Sequence, residues 1–169
     1  MLNETSTIVS WRARPRSFVA LMGLYESNHI RLSWLTGNLA AIEGHHRSEV
    51  LGDCELLLSI DERSVYTTTL NLTYLLPSER QGFSPKHEQS ELASALAYPD
   101  MRVRVYHDAR LVEAFEWGSN HEHGALRAIR SQAERELDQR WARNMMLNKW
   151  LEYCVERGHR FSPATRIHG

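Results

Sequence analysis

The segment from residue 65 to residue 74 constrains the fold most, because its side chains alternate in character along the chain. One parity is largely apolar or aromatic: Tyr66, Leu70, Leu72 and Tyr74. The other parity is polar: Thr67, Thr69, Asn71 and Thr73. Successive side chains of a strand point to opposite faces of a sheet, so this run predicts a strand with one face in the core and the other in water. The pattern indicates an antiparallel sheet that needs cover on one face.

Neighbouring segments supply further strands. Residues 54–60 form an apolar run, and the turn-like residues 61–64 separate it from the strand predicted at 65–74. This arrangement predicts a hairpin. Residues 101–106 largely alternate, and residues 111–117 follow after a short turn, which predicts a second hairpin. We therefore expect about four antiparallel strands in a meander, and we interpret residues 38–49 as a largely polar connection.

Amphipathic helices flank the strands. The first begins after Ser17, a favourable N-cap residue, and ends at Gly37, with apolar residues at spacings of three and four. Asn28 lies on its apolar stripe, and a buried amide must find hydrogen-bond partners. The last helix runs from roughly residue 132 to Arg157. Because a half-buried sheet needs cover, we expect an α+β domain with both helices packed on one face of the sheet.

The length of 169 residues, with 42% hydrophobic and 24% charged residues, indicates one globular domain. We expect residues 1–15 to be a flexible basic arm, residues 16–161 to be the domain with an insertion loop at 77–100, and residues 162–169 to be a tail. The net charge of −1 and the acidic middle of the chain weigh against a nucleic-acid partner. We find no apolar run of about 18–20 residues and no basic region leading into an apolar one, so we expect no membrane association and a cytoplasmic location.

The last helix has a second apolar side that is formed by Met146, Trp150 and Tyr153. This side is either covered by the first helix or exposed as a subunit contact, since Trp, Met and Tyr are enriched at interfaces. We take these three residues as the candidate interface of a homodimer.

Four segments together resemble a known family. They are LYESN at residues 24–28, RSVYTT at 63–68, VRVYHDA at 103–109 and WLEYC at 150–154. This combination resembles the YqiB-like family of uncharacterised gammaproteobacterial proteins, a domain of unknown function, over roughly residues 16–161. The resemblance implies a small cytoplasmic protein with no assigned reaction. Genes of that family often lie near genes for nucleotide-cleaving enzymes, which is the reason for considering a nucleotide ligand.

His107 and Asp108 lie in the predicted turn between residues 106 and 111. An Asp in such a turn ordinarily bonds its own backbone. In the functional interpretation, His107 is a general base or metal ligand oriented by Asp108, and Glu26, Asn28 or His29 supplies a partner from the first helix.

Arginines on the predicted sheet offer a second kind of site. Arg102 and Arg104 share one face of their strand, and the polar residues at 67, 69, 71 and 73 share one face of theirs. If the two faces coincide, they form a polar floor with anion-binding arginines, and the alternative is an ordinary solvated face.

Histidines and cysteines allow only weak hypotheses about metals. His121 and His123 in a Gly-bounded loop, with His45 and His46 in another, suit a metal site, although adventitious capture of zinc or nickel is the expected outcome. We interpret Cys54 and Cys154 as buried thiols without redox chemistry.

The sequence contains no phosphate-binding loop, GxGxxG fingerprint, GxSxG elbow or HExxH motif. We therefore expect no cofactor, and we favour a non-enzymatic binding or adaptor domain that uses the uncovered sheet face. The alternative is a small hydrolase or ligand sensor acting on a nucleotide or phosphorylated metabolite, with a site formed by Glu26, Asn28, Arg104, His107 and Asp108.

Overall fold

Two α-helices and five strands make up the part of the chain that the computed structural model describes, which is residues 16–76, 96–117 and 136–167. The helices are α1 (Phe18–Thr36) and α2 (Glu136–Arg157). The strands are β1 (His45–Ser48), β2 (Glu55–Arg63), β3 (Thr67–Leu76), β4 (Leu96–Tyr106) and β5 (Leu111–Trp117). The predicted arm, most of the predicted insertion, and His121 and His123 lie outside these residues. None of the described helices has an apolar stretch that could cross a membrane.

The strands form one antiparallel sheet in the order β1-β2-β3-β4-β5. The α+β class and the meander are confirmed, and so is the alternation from Leu70 to Tyr74. Tyr66, for which the alternation predicts a place in the core, precedes β3 and is exposed, whereas Thr69 is buried on the polar face. The number of strands is not confirmed, because residues 45–48 form β1 instead of a polar connection. His46 and Ser48 point to the core side, opposite Leu58 and Leu56, and are buried although they are polar. A strand with polar residues on both faces gives no alternation for sequence analysis to detect.

Both helices cover the same face of the sheet. One continuous core contains apolar residues of α1, α2 and the inward-facing positions of β2 to β5: Leu32, Leu35, Leu147, Leu151, Leu56, Leu58, Leu70, Leu72, Met101, Val103, Val105, Val112 and Ala114. The predicted ends of α1 are confirmed. The Ser17 side chain accepts a hydrogen bond from the Ala20 N–H at 3.1 Å, and Gly37 closes the helix with φ of 58°, a conformation that favours glycine.

The edge of the sheet at β5 is capped by side-chain amides from the helices. Asn144 on α2 accepts a hydrogen bond from the Ala114 N–H at 2.8 Å and donates to the Ala114 carbonyl at 3.2 Å, as a neighbouring strand would. Asn28 on α1 donates to the Val112 carbonyl at 3.3 Å. The Val112 carbonyl and the N–H and carbonyl of Ala114 therefore have hydrogen-bond partners at this edge.

The opposite edge, at β1, is covered by the end of the described chain. The Ile167 N–H donates to the His45 carbonyl at 2.9 Å, and Arg166 pairs with His46 in an isolated bridge. The His46 ring lies 3.1 Å from the Thr165 hydroxyl and 3.1 Å from the Glu43 carbonyl, and it packs edge-on against Phe161. Both edges of the sheet are thus occupied by other parts of the same chain.

Candidate functional site

The sheet face opposite the helices carries a set of polar, charged and aromatic side chains, which we call the open face. Its members alternate with the core residues of β2 to β5: Asp61, Thr67, Thr69, Asn71, Thr73, Asp100, Arg102, Arg104, Tyr106, Glu113, Phe115 and Glu116. Asn71 lies opposite Arg102 and Thr69 opposite Arg104, so the two polar faces predicted for β3 and β4 coincide.

Arg102 on the open face is fully engaged by carboxylates. Its guanidinium group lies 3.0 Å from the Glu116 carboxylate and 3.6 Å from that of Asp61. A bulge in β5 brings Glu116 opposite Arg102, and the Asn71 amide donates to Asp61 at 3.2 Å. The hydrogen bond to Glu116 is the main cause that raises the pKa of Arg102. The charge of this arginine is therefore balanced within the molecule.

Arg104 is held in a different way. Its guanidinium carbon lies 4.6 Å from the centre of the Phe115 ring, a cation–π distance, and Arg102 approaches the same ring at 5.3 Å. Among the described residues, no carboxylate lies within ion-pair distance of Arg104. The nearby Glu113 instead accepts a hydrogen bond from the Tyr106 hydroxyl at 2.8 Å. Burial and this bond to Glu113 raise the pKa of Tyr106, and Arg104 opposes the shift.

The turn between β4 and β5 does not assemble the predicted catalytic pair. The His107 Nε2 atom lies 2.8 Å from the Thr68 hydroxyl of β3, and the structure gives its ring no hydrogen bond to α1. The exposed Asp108 accepts a hydrogen bond from the Ala109 N–H at 2.8 Å, the ordinary role of Asp in a turn. His29 on α1 is near enough for His107 and Arg110 to lower its pKa, although burial is the larger cause.

The remaining predicted ligand residues are dispersed. Glu26 is exposed on α1, whereas Asn28 is completely buried between the helices and the edge of β5. Arg104 lies on the open face, so the sheet separates it from Asn28. The structure therefore does not bring these residues into one site with His107 and Asp108.

Asn28 does find the partners that the sequence requires. Besides the Val112 carbonyl, its amide group donates to Asn144 Oδ1 at 3.2 Å, and its oxygen accepts from Asn148 Nδ2 at 3.0 Å. Asn144 and Asn148, like Asn28, are completely buried. These three amides, which we call the amide seam, join α1, α2 and β5.

A second buried polar cluster was not predicted from the sequence. We call it the Asp53 latch, and it consists of Ser48, Asp53, Tyr74, Arg157 and His159. The Asp53 carboxylate accepts hydrogen bonds from the Tyr74 hydroxyl at 3.0 Å, the Arg157 guanidinium at 3.0 Å and the Cys54 N–H at 2.8 Å. The buried His159 ring lies 3.1 Å from the Tyr74 hydroxyl and 3.0 Å from Ser48 Oγ.

The ionisation of the latch follows from this geometry. Burial favours a neutral Asp53, but the hydrogen bonds from Cys54, Arg157 and Tyr74 outweigh it and lower the pKa of the carboxyl group. Burial lowers the pKa of His159 and raises that of Tyr74, and it raises the pKa of the neighbouring Cys154 thiol to about 12. We therefore expect a neutral imidazole beside a charged carboxylate at neutral pH.

The His159 ring lies between Ser48 and Asp53, which is the spatial arrangement of a hydrolytic triad. The surroundings of Ser48 and Asp53, however, do not suit a nucleophilic serine. Ser48 is buried and its oxygen already accepts the Arg160 N–H at 3.2 Å. Asp53 is nearly saturated with donors, and its side chain is only 7% exposed. The arrangement can anchor the chain that leaves α2 to the turn after β1, and we assign it this structural role. Its members are distant in sequence and form no motif, so sequence analysis had no signal for it.

Metal ligands do not converge in the part of the chain that the structure describes, where no group of three or more His, Cys, Asp or Glu side chains is arranged to hold an ion. His45 is exposed and His46 is buried. Cys54 is half-buried and Cys154 buried, both as free thiols.

The three candidate interface residues have different surroundings. Trp150 is 5% exposed and packs against Tyr74 at 5.8 Å between ring centres, so it is covered by a residue of the sheet. Met146 packs partly against the core, and Tyr153 is 45% exposed. The homodimer stays a prediction, and a monomer in light scattering across micromolar concentrations would count against it.

The comparisons with known proteins give a family but no activity. The family model described as "Protein of unknown function (DUF1249)" matches residues 31–160. Neither the curated proteins nor the solved structures contain a match.

Proposed function

As the chain belongs to this family of unknown function, we propose from its geometry that it is a non-enzymatic binding domain that takes its ligand on the open face. One observation carries the proposal. The helices cover the other face of the sheet and the same chain occupies both edges, so among the described surfaces of the sheet the open face is the one left for a ligand. We keep the expectation of a cytoplasmic bacterial protein of the YqiB-like type as part of this proposal.

The chemistry of the open face supports binding better than catalysis. It offers guanidinium, hydroxyl, amide and aromatic groups, whose contacts with one another are ion pairs, hydrogen bonds and ring contacts. General acid–base catalysis needs a titrating group within reach of a partner and of the substrate. The predicted base, His107, bonds to Thr68, so the hydrolase alternative has no catalytic pair to support it.

The charge of the open face narrows the class of partner. The four carboxylates named above outnumber the two guanidinium groups named with them, and Arg102 is already paired with two of those carboxylates. On the same side of the sheet, Arg47 of β1 is paired with Glu55 of β2. Nucleic-acid affinity depends on several unpaired cations that neutralise phosphates. A small ligand or a peptide of mixed charge therefore fits this surface better than a nucleic acid.

The test is a set of amide chemical-shift titrations of isotope-labelled protein. The probes are inorganic phosphate, AMP, sodium benzoate and two hexapeptides, one acidic and one basic, each compared with sodium chloride at equal ionic strength. We expect at least one probe to shift amides at Thr69, Asn71, Arg104 and Phe115 while Ser33 on the outer side of α1 does not move. Shifts confined to the helices or the His107 turn, or no response to any probe, would contradict the proposal.

A further inference from the structure

Arg102 and Arg104 project from the same face of β4, two residues apart, but among the described residues only Arg102 lies within ion-pair distance of a carboxylate. Arg102 contacts Asp61 and Glu116, whereas no described carboxylate lies within ion-pair distance of Arg104. The Arg104 side chain is half-buried in the middle strands of the sheet, away from the edges. Glu113 lies opposite Arg104 in the register but bonds to the Tyr106 hydroxyl, so Arg104 is a partly buried guanidinium group without a direct ion pair to a described residue. Such a group has lost hydration and gains from an incoming anion.

Phe115 restricts how Arg104 can meet such an anion. The ring lies 4.6 Å from the guanidinium carbon, which is close enough to hold the group in place. A guanidinium group held by an aromatic ring keeps the N–H groups at its edge, and this fork matches the two oxygens of a carboxylate. Holding the side chain in advance also reduces the entropy lost when a ligand binds.

The neighbouring carboxylates restrict the size of the anion. Glu113 is occupied by the Tyr106 hydroxyl, Asp100 accepts a hydrogen bond from Thr73 at 2.6 Å, and Asp61 and Glu116 hold Arg102. These four acidic side chains share the open face with Arg104, which has no described carboxylate within ion-pair distance. A compact anion can reach Arg104 between them, while an extended polyanion would have to lie beside several like charges.

We propose that Arg104 is the anchor for one compact carboxylate group of the ligand. The inference rests on the proposed function, because it assigns a chemical class to the ligand of the open face. The carboxylate accepts two hydrogen bonds from the Arg104 guanidinium, which lies opposite Thr69 in the register of β3 and β4. A free small acid and the C-terminus of a peptide share this chemistry.

The experiment follows the Arg104 side-chain Nε–H resonance while sodium benzoate is added to the full chain. The resonance is assigned by its disappearance in Arg104→Lys. We expect saturable shifts of this signal and of the Phe115 amide, with a dissociation constant of about 1–10 mM for so small a probe. A tripeptide with a free C-terminus, compared with its amidated form, separates a peptide source from a free acid.

Matched variants separate the anchor from a general effect of charge. Arg104→Gln should weaken benzoate binding by about tenfold, and Arg104→Lys by several-fold, because lysine keeps the charge but not the fork. Arg47→Gln is the control, since Arg47 lies on the same side of the sheet in β1 and is already near Glu49 and Glu55. It should bind benzoate like the unmodified protein. Phosphate at equal ionic strength should bind more weakly than benzoate.

The outcomes are distinguishable from those of the broader proposal. Equal benzoate affinity in Arg104→Gln, or no saturable response of Arg104 to benzoate or to the tripeptide, overturns the anchor. If AMP or a hexapeptide still shifts the open face independently of Arg104, the binding domain stands without this anchor. If every shift maps to the helices or the His107 turn, both proposals are wrong.

Discussion

The amide seam and the open face use similar side chains for opposite purposes. In the seam, Asn28, Asn144 and Asn148 are completely buried and bond chiefly to one another and to the backbone. On the open face, Asn71 donates to Asp61 near water, and Arg104 forms no ion pair with a described residue. A buried polar group that loses its partner is costly, whereas a solvated one is not. Polar residues on the covered side therefore hold the fold together, whereas those on the other side form the surface on which we propose that a ligand binds.

The largest expected effect comes from removing the amide at the centre of the seam. Asn144→Leu leaves the Ala114 N–H and carbonyl and the Asn28 amide without their partner, and we expect a loss of about 3 kcal/mol in the free energy of unfolding. Asn71→Ala is the matched change on the open face and should cost less than about 1 kcal/mol. Urea unfolding of both variants measures the difference, and equal losses would erase the distinction between the two regions.

A pair of aspartates repeats the comparison with charged groups. The Asp53 side chain is 7% exposed and that of Asp61 is 29% exposed. Asp53→Asn removes the negative charge to which Arg157 and the Tyr74 hydroxyl donate hydrogen bonds, and we expect the free energy of unfolding to fall by about 2 kcal/mol. We also expect faster amide hydrogen exchange over residues 159–167. Asp61→Asn should cost less than about 1 kcal/mol and leave exchange there unchanged. Unchanged exchange in Asp53→Asn would show that the latch does not hold this segment.

The latch should also give stability a pH dependence near neutrality. Burial lowers the pKa of His159 in the folded state, so its contribution to stability is complete above the ordinary histidine pKa of about 6.5 and is lost as the pH falls through the lower folded value. His29, whose pKa is also lowered, acts in the same direction. Urea midpoints between pH 8 and pH 5 should fall less steeply for His159→Asn than for the unmodified protein. His45→Asn, at an exposed position, is the control, and an unaltered slope in His159→Asn would contradict the assignment.

The smallest expected effect is on the open face itself. Arg104→Gln removes a cation–π contact and no ion pair with a described residue, so the free energy of unfolding should change by less than about 0.5 kcal/mol. Thermal unfolding is measured with and without benzoate. Without benzoate the variant should unfold at the same temperature as the unmodified protein, and with benzoate only the unmodified protein should become more stable. A loss above about 2 kcal/mol would place Arg104 with the structural residues instead.

Alternation and helical spacing made much of the fold predictable. They located α1 with both of its ends, the strand β3 and the wet face of β4. Alternation and helical spacing missed β1. The buried His46 and Ser48 find their hydrogen-bond partners in Thr165 and His159, which are more than 100 residues away, and no local pattern carries that information.

The candidate site was predictable only in part. Strand alternation places Arg104 on the solvent-exposed face of the sheet, whereas helical spacing places Asn28 in the core. These two patterns therefore already put Arg104 and Asn28 on opposite sides of the sheet, although the predicted site combined them. That Asn28 needs partners followed from its position, but the identity of those partners depends on how α1 and α2 pack. The Asp53 latch depends on contacts between distant segments, which periodicity does not encode. The same holds for the finding that Arg102, but not Arg104, forms ion pairs with described residues.

The closure of β5 by one asparagine has a consequence beyond the single molecule. An uncovered edge strand is a template on which a second chain can add its own strand, and such pairing propagates into insoluble assemblies. Here the Asn144 amide bonds both the N–H and the carbonyl of Ala114, and Arg143 adds a longer hydrogen bond to the same carbonyl at 3.5 Å. Losing the Asn144 amide would therefore expose the Ala114 backbone groups to pairing with a strand of a second chain while the rest of the fold is still in place.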